Sequence, residues 1–208
     1  TNLVYQLLWK VPLYSVLKID SGSPEGRAPE VVSNQRISIL IIGLGDVGRE
    51  MLIAGYWCGQ FGYVAGEHKI KKFPLEIHVV DKYASTKKRQ LEKDFPGINF
   101  GHASDHESDY CDFFFYDCDV TTKPFTDLFS QTKELANVNY VVISLGKDID
   151  NLNAARTVQR ELDMIALTCD HKFIINYVIK NENLNNSIKA LHAGDTNQKM
   201  RVFGNIAQ

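Results

Sequence analysis

Two kinds of apolar pattern alternate along this chain. From Arg36 the run RISILII is almost continuously apolar: Ile37, Ile39, Leu40, Ile41 and Ile42 lack charge and are mostly β-branched, as in a parallel strand buried on both faces. Beyond it Val47, Met51, Ala54, Cys58 and Phe61 recur at spacings of four, three, four and three, which is one face of a helix. The alternation then repeats. Strands are predicted at 36–42, 75–81, 112–117, 139–145, 172–179 and 200–203, and helices at 46–61, 84–95, 123–136, 150–164 and 183–192. Joined by right-handed crossovers, these elements predict an α/β fold, doubly wound, with a mostly parallel six-stranded sheet.

Between the first strand and first helix lies Gly43-Leu44-Gly45-Asp46-Val47-Gly48. In a strand–turn–helix unit each glycine has a physical role: Gly43 permits the tight turn, Gly45 lets the backbone approach a pyrophosphate, and Gly48 lets helix and strand pack closely. The free N–H groups and positive dipole end of the helix would then face the negative charge. The architecture is thus Rossmann-like, with the expected strand order 3-2-1-4-5-6 and a ligand at the carboxyl ends near strands one and four. Such a site needs an acid ending the second strand, and Leu75, Ile77, Val79 and Val80 lead to Asp81, followed by Lys82. A carboxylate there can accept both ribose hydroxyls of an adenosine and would repel a 2′-phosphate. NAD is therefore expected over NADP, while ATP, ADP or AMP would satisfy the same chemistry. Gly48 and Asp81 are 33 residues apart, where roughly 20 is common from the glycine region. The excess falls on 59–73, GQFGYVAGEHKIKKF, a glycine-broken basic insertion. An ordinary αβ unit whose glycines only make a tight turn is the alternative.

Composition narrows the picture modestly. With 208 residues, the chain has room for one large α/β domain, assigned here to 36–208, preceded by an appended segment and linker over 1–35. The linker is polar and rich in Gly and Pro around SGSPEGRAPE. A net charge of −2 excludes the global basic field that nucleic acid would call for. Lys69, Lys71 and Lys72, then Lys82, Lys87, Lys88 and Arg89, form local basic clusters that read as solvated faces. Cys58, Cys111, Cys118 and Cys169 are scattered without a CxxC pair, which fits a reducing, cytoplasmic setting. The apolar start, Leu3–Ile19, carries Gln6, Lys10, Pro12 and Lys18 and so is neither a membrane span nor a signal peptide. The first residue is Thr1, which suggests a processed chain or, as expected here, a piece of a larger protein.

The second informative stretch follows the fourth strand: Ser144-Leu145-Gly146-Lys147-Asp148, then Asn151. This turn is expected beside the glycine loop, where Ser144, Leu145 and Gly146 offer a hydroxyl and a close backbone. Asp148 and Asn151 are suited to cap the next helix. Taken with GLGDVG, Val-Val-Asp81 and the acidic Asp117-Cys118-Asp119 after strand three, the Asp148-x-x-Asn151-Leu-x-Ala-Ala stretch resembles the TrkA-N family, the KTN or RCK N-terminal nucleotide-binding domain of potassium-transport regulators. The resemblance runs over roughly 36–204 and ends in Val202-Phe203-Gly204. It implies that Asp119, with Val120, reaches the adenine side and that Asp148 and Asn151 open the helix beside the ligand. The chain departs from the family at Cys118, where Gly is usual, in the long loop before Asp81, and in the insertion Asn99–His106. These residues do not include the second, ligand-binding domain of RCK proteins.

Other chemistries leave weaker traces in the chain. Tyr83 and Lys87 have the Tyr-x-x-x-Lys spacing of short-chain dehydrogenases but lie at the adenine end. No Gly-x-Ser-x-Gly elbow anchors a hydrolase. His102, Asp105, His106, Asp109 and Cys111 have metal-ligand spacing within a polar, loop-like stretch, and His78 reads as a core histidine. Lys147 can steady a phosphate or point to water. Arg89-Gln90 faintly resembles the ATP-contacting pair of ubiquitin-activating adenylating enzymes. The expected function is a regulatory module that binds NAD(H) or an adenine nucleotide without turnover, with no catalytic or metal site. An NAD-dependent oxidoreductase whose substrate half lies elsewhere comes second, and a scaffold that binds nothing stays open. A homodimer is expected, through the helix 150–164 and the apolar Leu162, Ile165 and Leu167 near its end, with other domains of a longer chain as further partners.

Overall fold

The computed structural model describes residues 3–20, 30–31, 35–64, 70–101, 111–167, 171–191 and 199–204. Helix α1 (Leu3–Lys10) and a 3-10 turn (Leu13–Val16) lead to β1 (Ile19–Asp20), which pairs antiparallel with β2 (Glu30–Val31). Then come β3 (Ile37–Ile42), α2 (Asp46–Cys58), the short strands β4 (Gly62–Val64) and β5 (Ile70–Lys72), β6 (Leu75–Asp81) and α3 (Ala84–Asp94). The second half runs β7 (Cys111–Asp117), α4 (Lys123–Gln131), a 3-10 turn (Lys133–Asn137), β8 (Tyr140–Ile143), α5 (Asp148–Ala166), β9 (Ile174–Val178), α6 (Glu182–Leu191) and β10 (Met200–Phe203).

Six strands form one sheet in the order β7-β6-β3-β8-β9-β10, every neighbouring pair parallel. This is the order 3-2-1-4-5-6, so the fold is α/β and Rossmann-like, with the sheet parallel throughout. All six residues of β3 and all seven of β6 are buried between two helical layers, the polar Ser38, Glu76, His78 and Asp81 included. Ile37, Ile39 and Ile41 share one core with Ile77, Val79, Met51, Leu52 and Leu91, beneath α1, α2 and α3. Leu40, Ile42, Val141 and Ile143 face the other core, closed by Phe125, Phe129, Val158, Leu162 and Ile188 of α4, α5 and α6.

Differences from the sequence pattern have local causes. The helix expected to reach Phe61 stops at Cys58, because Gly59 takes the C-cap position and the chain turns into the antiparallel pair β4–β5. The expected helix 123–136 breaks at Thr132, whose backbone is extended, and a 3-10 turn takes up the remainder. Helix α5 exceeds the expected 150–164 at both ends. Of the residues with metal-ligand spacing, His102 to Cys111, those at 102–110 lie outside the described residues, and Cys111 is buried at the start of β7. Among the described residues no helix is long and apolar enough to cross a membrane.

His78 is a fully buried core residue, stacked on Phe114 at 4.6 Å between centroids and with Nδ1 3.1 Å from the Tyr116 hydroxyl. Its neighbour Glu76 pairs with Arg36 at 2.6 Å. Burial opposes ionisation of Glu76, but His78 and Arg36 outweigh it and hold the carboxyl below its usual range.

The described part of 1–35 packs into the same core. Val4, Leu7, Val11, Leu13 and Val16 are buried against the α2 face of the sheet, and the buried Tyr140 hydroxyl donates to the Val11 carbonyl at 2.7 Å. Tyr140→Phe strands that carbonyl, so unfolding in urea should show a loss of about 1–3 kcal/mol. An unchanged stability would mean that the tether contributes nothing.

Candidate functional site

The carboxyl end of β3 is where strand order reverses: the chain continues to β6 on one side and later returns to β8 on the other. Gly43, the first residue after β3, has φ +89°, which L side chains rarely adopt, and a Cβ there would lie 2.6 Å from the Ser144 carbonyl oxygen. Its N–H donates to Val80 O at 2.9 Å, and Ser144 returns the contact through its hydroxyl, 3.3 Å from Gly43 O. The turn after β8 therefore lies against the glycine turn, as expected. A Cβ on Gly48 would sit 1.9 Å from Gly43 O, so the first turn of α2 packs directly on the exit of β3. Gly45 differs from both. A Cβ on it would meet nothing within 4 Å, so its face is open. Asp46 and Val47 follow as the first helical residues, with Asp46 exposed and Val47 half-buried.

Leu44 is buried, and its N–H donates to Asp81 Oδ2 at 2.8 Å across the β3–β6 gap. Asp81 Oδ1 accepts from Tyr83 N at 2.9 Å, and Lys87 Nζ lies 2.7 Å from Oδ2. Burial opposes ionisation of Asp81, but the Lys87 ammonium and the N–H groups of Tyr83 and Leu44 prevail, holding the carboxyl below its usual range. It is a carboxylate at neutral pH. Of roughly four acceptor sites on a carboxylate, Oδ2 has committed both of its own and Oδ1 one. Asp81 can thus take one ribose hydroxyl directly, and the second only if Lys87 moves aside. The Lys87 pairing was not read from the sequence. Its signal was a lysine in the first turn of the helix after strand two.

Next to this, Lys82 reaches from the end of β6 to within 3.7 Å of Asp119 Oδ2. Asp119 Oδ1 accepts both Thr121 N at 3.0 Å and Thr121 Oγ1 at 2.6 Å, which hold its carboxyl low. Val120, half-buried, lies in the same turn. Asp117 receives the backbone N–H and hydroxyl of Ser85, joining β7 to the start of α3. The acids at the ends of β6 and β7 thus share one rim.

Asp148 and Asn151 belong to the same end of the sheet, but neither caps α5. Lys147 occupies the N-cap position without a side-chain bond. Fully buried Asn151 accepts Leu145 N through Oδ1 at 2.6 Å and donates to Val178 O at 2.8 Å, clamping the turn after β8 to the end of β9. Asp148 accepts the N–H groups of Lys180 and Asn181 at 2.8–3.1 Å, from the turn before α6. A β-to-α turn in parallel α/β folds leaves backbone groups at the strand ends, and these side chains satisfy them. Gly146 is exposed, with open space where its Cβ would be.

The competing chemistries find little geometry. Lys87 is bonded to Asp81, and Tyr83 is exposed. Arg89 and Gln90 lie on the exposed side of α3, where Gln90 donates to Asp94. Among the described residues no group of three or more His, Cys, Asp or Glu side chains is placed to hold a metal ion.

Two glycine substitutions separate packing from access. Gly48→Ala forces a Cβ into the Gly43 carbonyl and should cost more than about 2 kcal/mol in chemical denaturation, as other overpacked positions do. Gly45→Ala should change stability by less than about 1 kcal/mol, since its φ of −81° suits alanine and the space is empty. Equal losses at the two positions would contradict the loop geometry.

Set beside known proteins, the chain matches no family model and no curated protein.

Proposed function

We propose that the chain is a regulatory nucleotide-binding module similar to the TrkA-N domain, taking NAD(H) or an adenine nucleotide at the carboxyl ends of β3, β6 and β8 without turning it over. The observation that carries this reading is the pairing of the open Gly45 face with the ionised Asp81 bonded to Leu44 N. A diphosphate lies over Gly45 and the first turn of α2, whose N–H groups and dipole favour an anion. The adenosine ribose lies against Asp81, and the adenine extends toward the Lys82–Asp119 rim.

Calorimetry with NAD, NADH, ATP, ADP and AMP tests the proposal directly. A charge-assisted hydrogen bond to the ribose contributes about 1.5–3 kcal/mol, so Asp81→Ala should weaken the bound nucleotide about tenfold or more. The wild type should prefer NAD to NADP, but weakly, because Lys87 offsets the Asp81 charge. Lys87→Met should widen that preference about tenfold, as a 2′-phosphate then meets an unpaired carboxylate. Equal NAD and NADP affinities in Lys87→Met would refute the role given to Asp81, and an absence of binding by all five compounds would refute the site.

A homodimer is part of the same proposal, since paired domains are how such a module would transmit a ligand signal. Leu162 is buried in the core, so the contact falls instead on the end of α5 and just beyond it, where Met164 is 62% and Leu167 82% exposed. A strictly monomeric mass in light scattering at micromolar concentration would refute the dimer.

A further inference from the structure

The chain has two tryptophans, Trp9 and Trp57, and they are 88% and 64% exposed. Trp57 lines a groove of about 530 Å³ between α1 and α2, with Tyr5, Ile53 and Phe95 as the rest of its apolar wall. Asp46, Arg49 and Glu50 border the groove. Arg49 is already engaged: it pairs with Asp94 at 2.7 Å and lies over the Phe95 ring, 5.3 Å from its centroid. Asp46 and Glu50 are four residues apart on one face of α2, and neither has a basic partner among the described residues. Burial raises the Glu50 carboxyl above its usual range, with no cation beside it to offset the effect. The groove thus joins an aromatic wall to a negative rim. Trp9 does not line it. Val4 and Leu7 turn α1 toward the core, and Trp9 stands on the outer face one turn beyond Tyr5, followed by the exposed Lys10. A projecting indole beside an open apolar groove is the kind of surface that contacts cover.

We propose that the groove receives the Trp9–Lys10 corner of a second copy of this chain. Two α1 helices packed antiparallel, about a two-fold axis level with residue 7, bring each Trp9 opposite the other protomer's Tyr5, at the mouth of the groove. The indole then lies against Ile53, Trp57 and Phe95, and the Lys10 ammonium meets the Asp46 and Glu50 carboxylates. The contact is isologous, so both grooves fill at once and the assembly closes. Charge selects this occupant. An apolar corner without a cation would leave the two carboxylates unpaired, and an acidic one would be repelled. The contact shares no residue with the one proposed at the end of α5, and it forms without a nucleotide.

Two measurements on the intact chain test it. Trp57→Phe keeps an aromatic wall and leaves Trp9 as the sole tryptophan, so its emission should move to shorter wavelength as the chain is concentrated from about 1 to 300 µM. Sedimentation equilibrium in a Leu167→Asp background, where the exposed end of α5 is disabled, reads the self-association of this contact alone. There Trp9→Ala, at an exposed position, should keep the melting temperature and weaken association about thirtyfold or more. Lys10→Glu should weaken it about tenfold, and adding Glu50→Lys to Lys10→Glu should restore most of the loss. The assignment is overturned if Trp9 emission is independent of concentration, if Trp9→Ala associates like its parent, or if the charge exchange restores nothing. Nucleotide titration and the α5 contact are read separately, so each of the three readings can fail alone.

Discussion

The close approach of α2 to the end of β3 is the constraint on which this molecule depends. A helix can begin directly on the carbonyl of Gly43 only because position 48 has no side chain, and a Cβ there would stand 1.9 Å from that oxygen. The approach fixes the helix axis relative to the sheet and leaves the first-turn N–H groups at the carboxyl edge of β3. It also forces the chain through a left-handed backbone at Gly43, where β8 crowds the turn through Ser144. Between these two tight points Gly45 is left open. Fold and candidate site thus follow from the same few atoms.

The rest of the crevice is held by side chains that satisfy backbone groups at strand ends. Asp81 binds the glycine turn to β6, Asn151 binds the β8 turn to β9, and Asp148 binds α5 to the turn before α6. Each replaces water at an edge where parallel strands run out of partners. The rim is therefore preorganised, which lowers the ordering cost of binding. At Asp81 the same economy has a consequence, since a carboxylate that already holds Leu44, Tyr83 and Lys87 has limited capacity for a ribose.

The apolar runs were enough to read the six strands, while their order followed from the glycine turn and the Rossmann-like architecture it implies. The three glycine roles were legible for a similar reason: a strand run into a helix face leaves only a turn between them. Apart from the turn after β8 meeting the glycine turn, contacts between segments distant in sequence were not legible. Nothing in Leu3–Lys10 announces that Val11 will accept a hydrogen bond from Tyr140, and a lysine six residues after Asp81 reads as solvated until α3 turns it back. Asp148 and Asn151 look like helix caps by residue type, yet their partners lie more than one element away or in the preceding turn. Local propensity identifies such residues as backbone binders but does not say whose backbone.

A crystal structure of the chain grown with saturating NAD would test the central claim most directly. The account predicts the pyrophosphate over Gly45 and the N–H groups of Asp46, Val47 and Gly48, with a ribose hydroxyl on Asp81 Oδ1. An NAD molecule bound elsewhere would contradict it, as would a glycine turn left unoccupied by NAD, NADH, ATP, ADP and AMP alike.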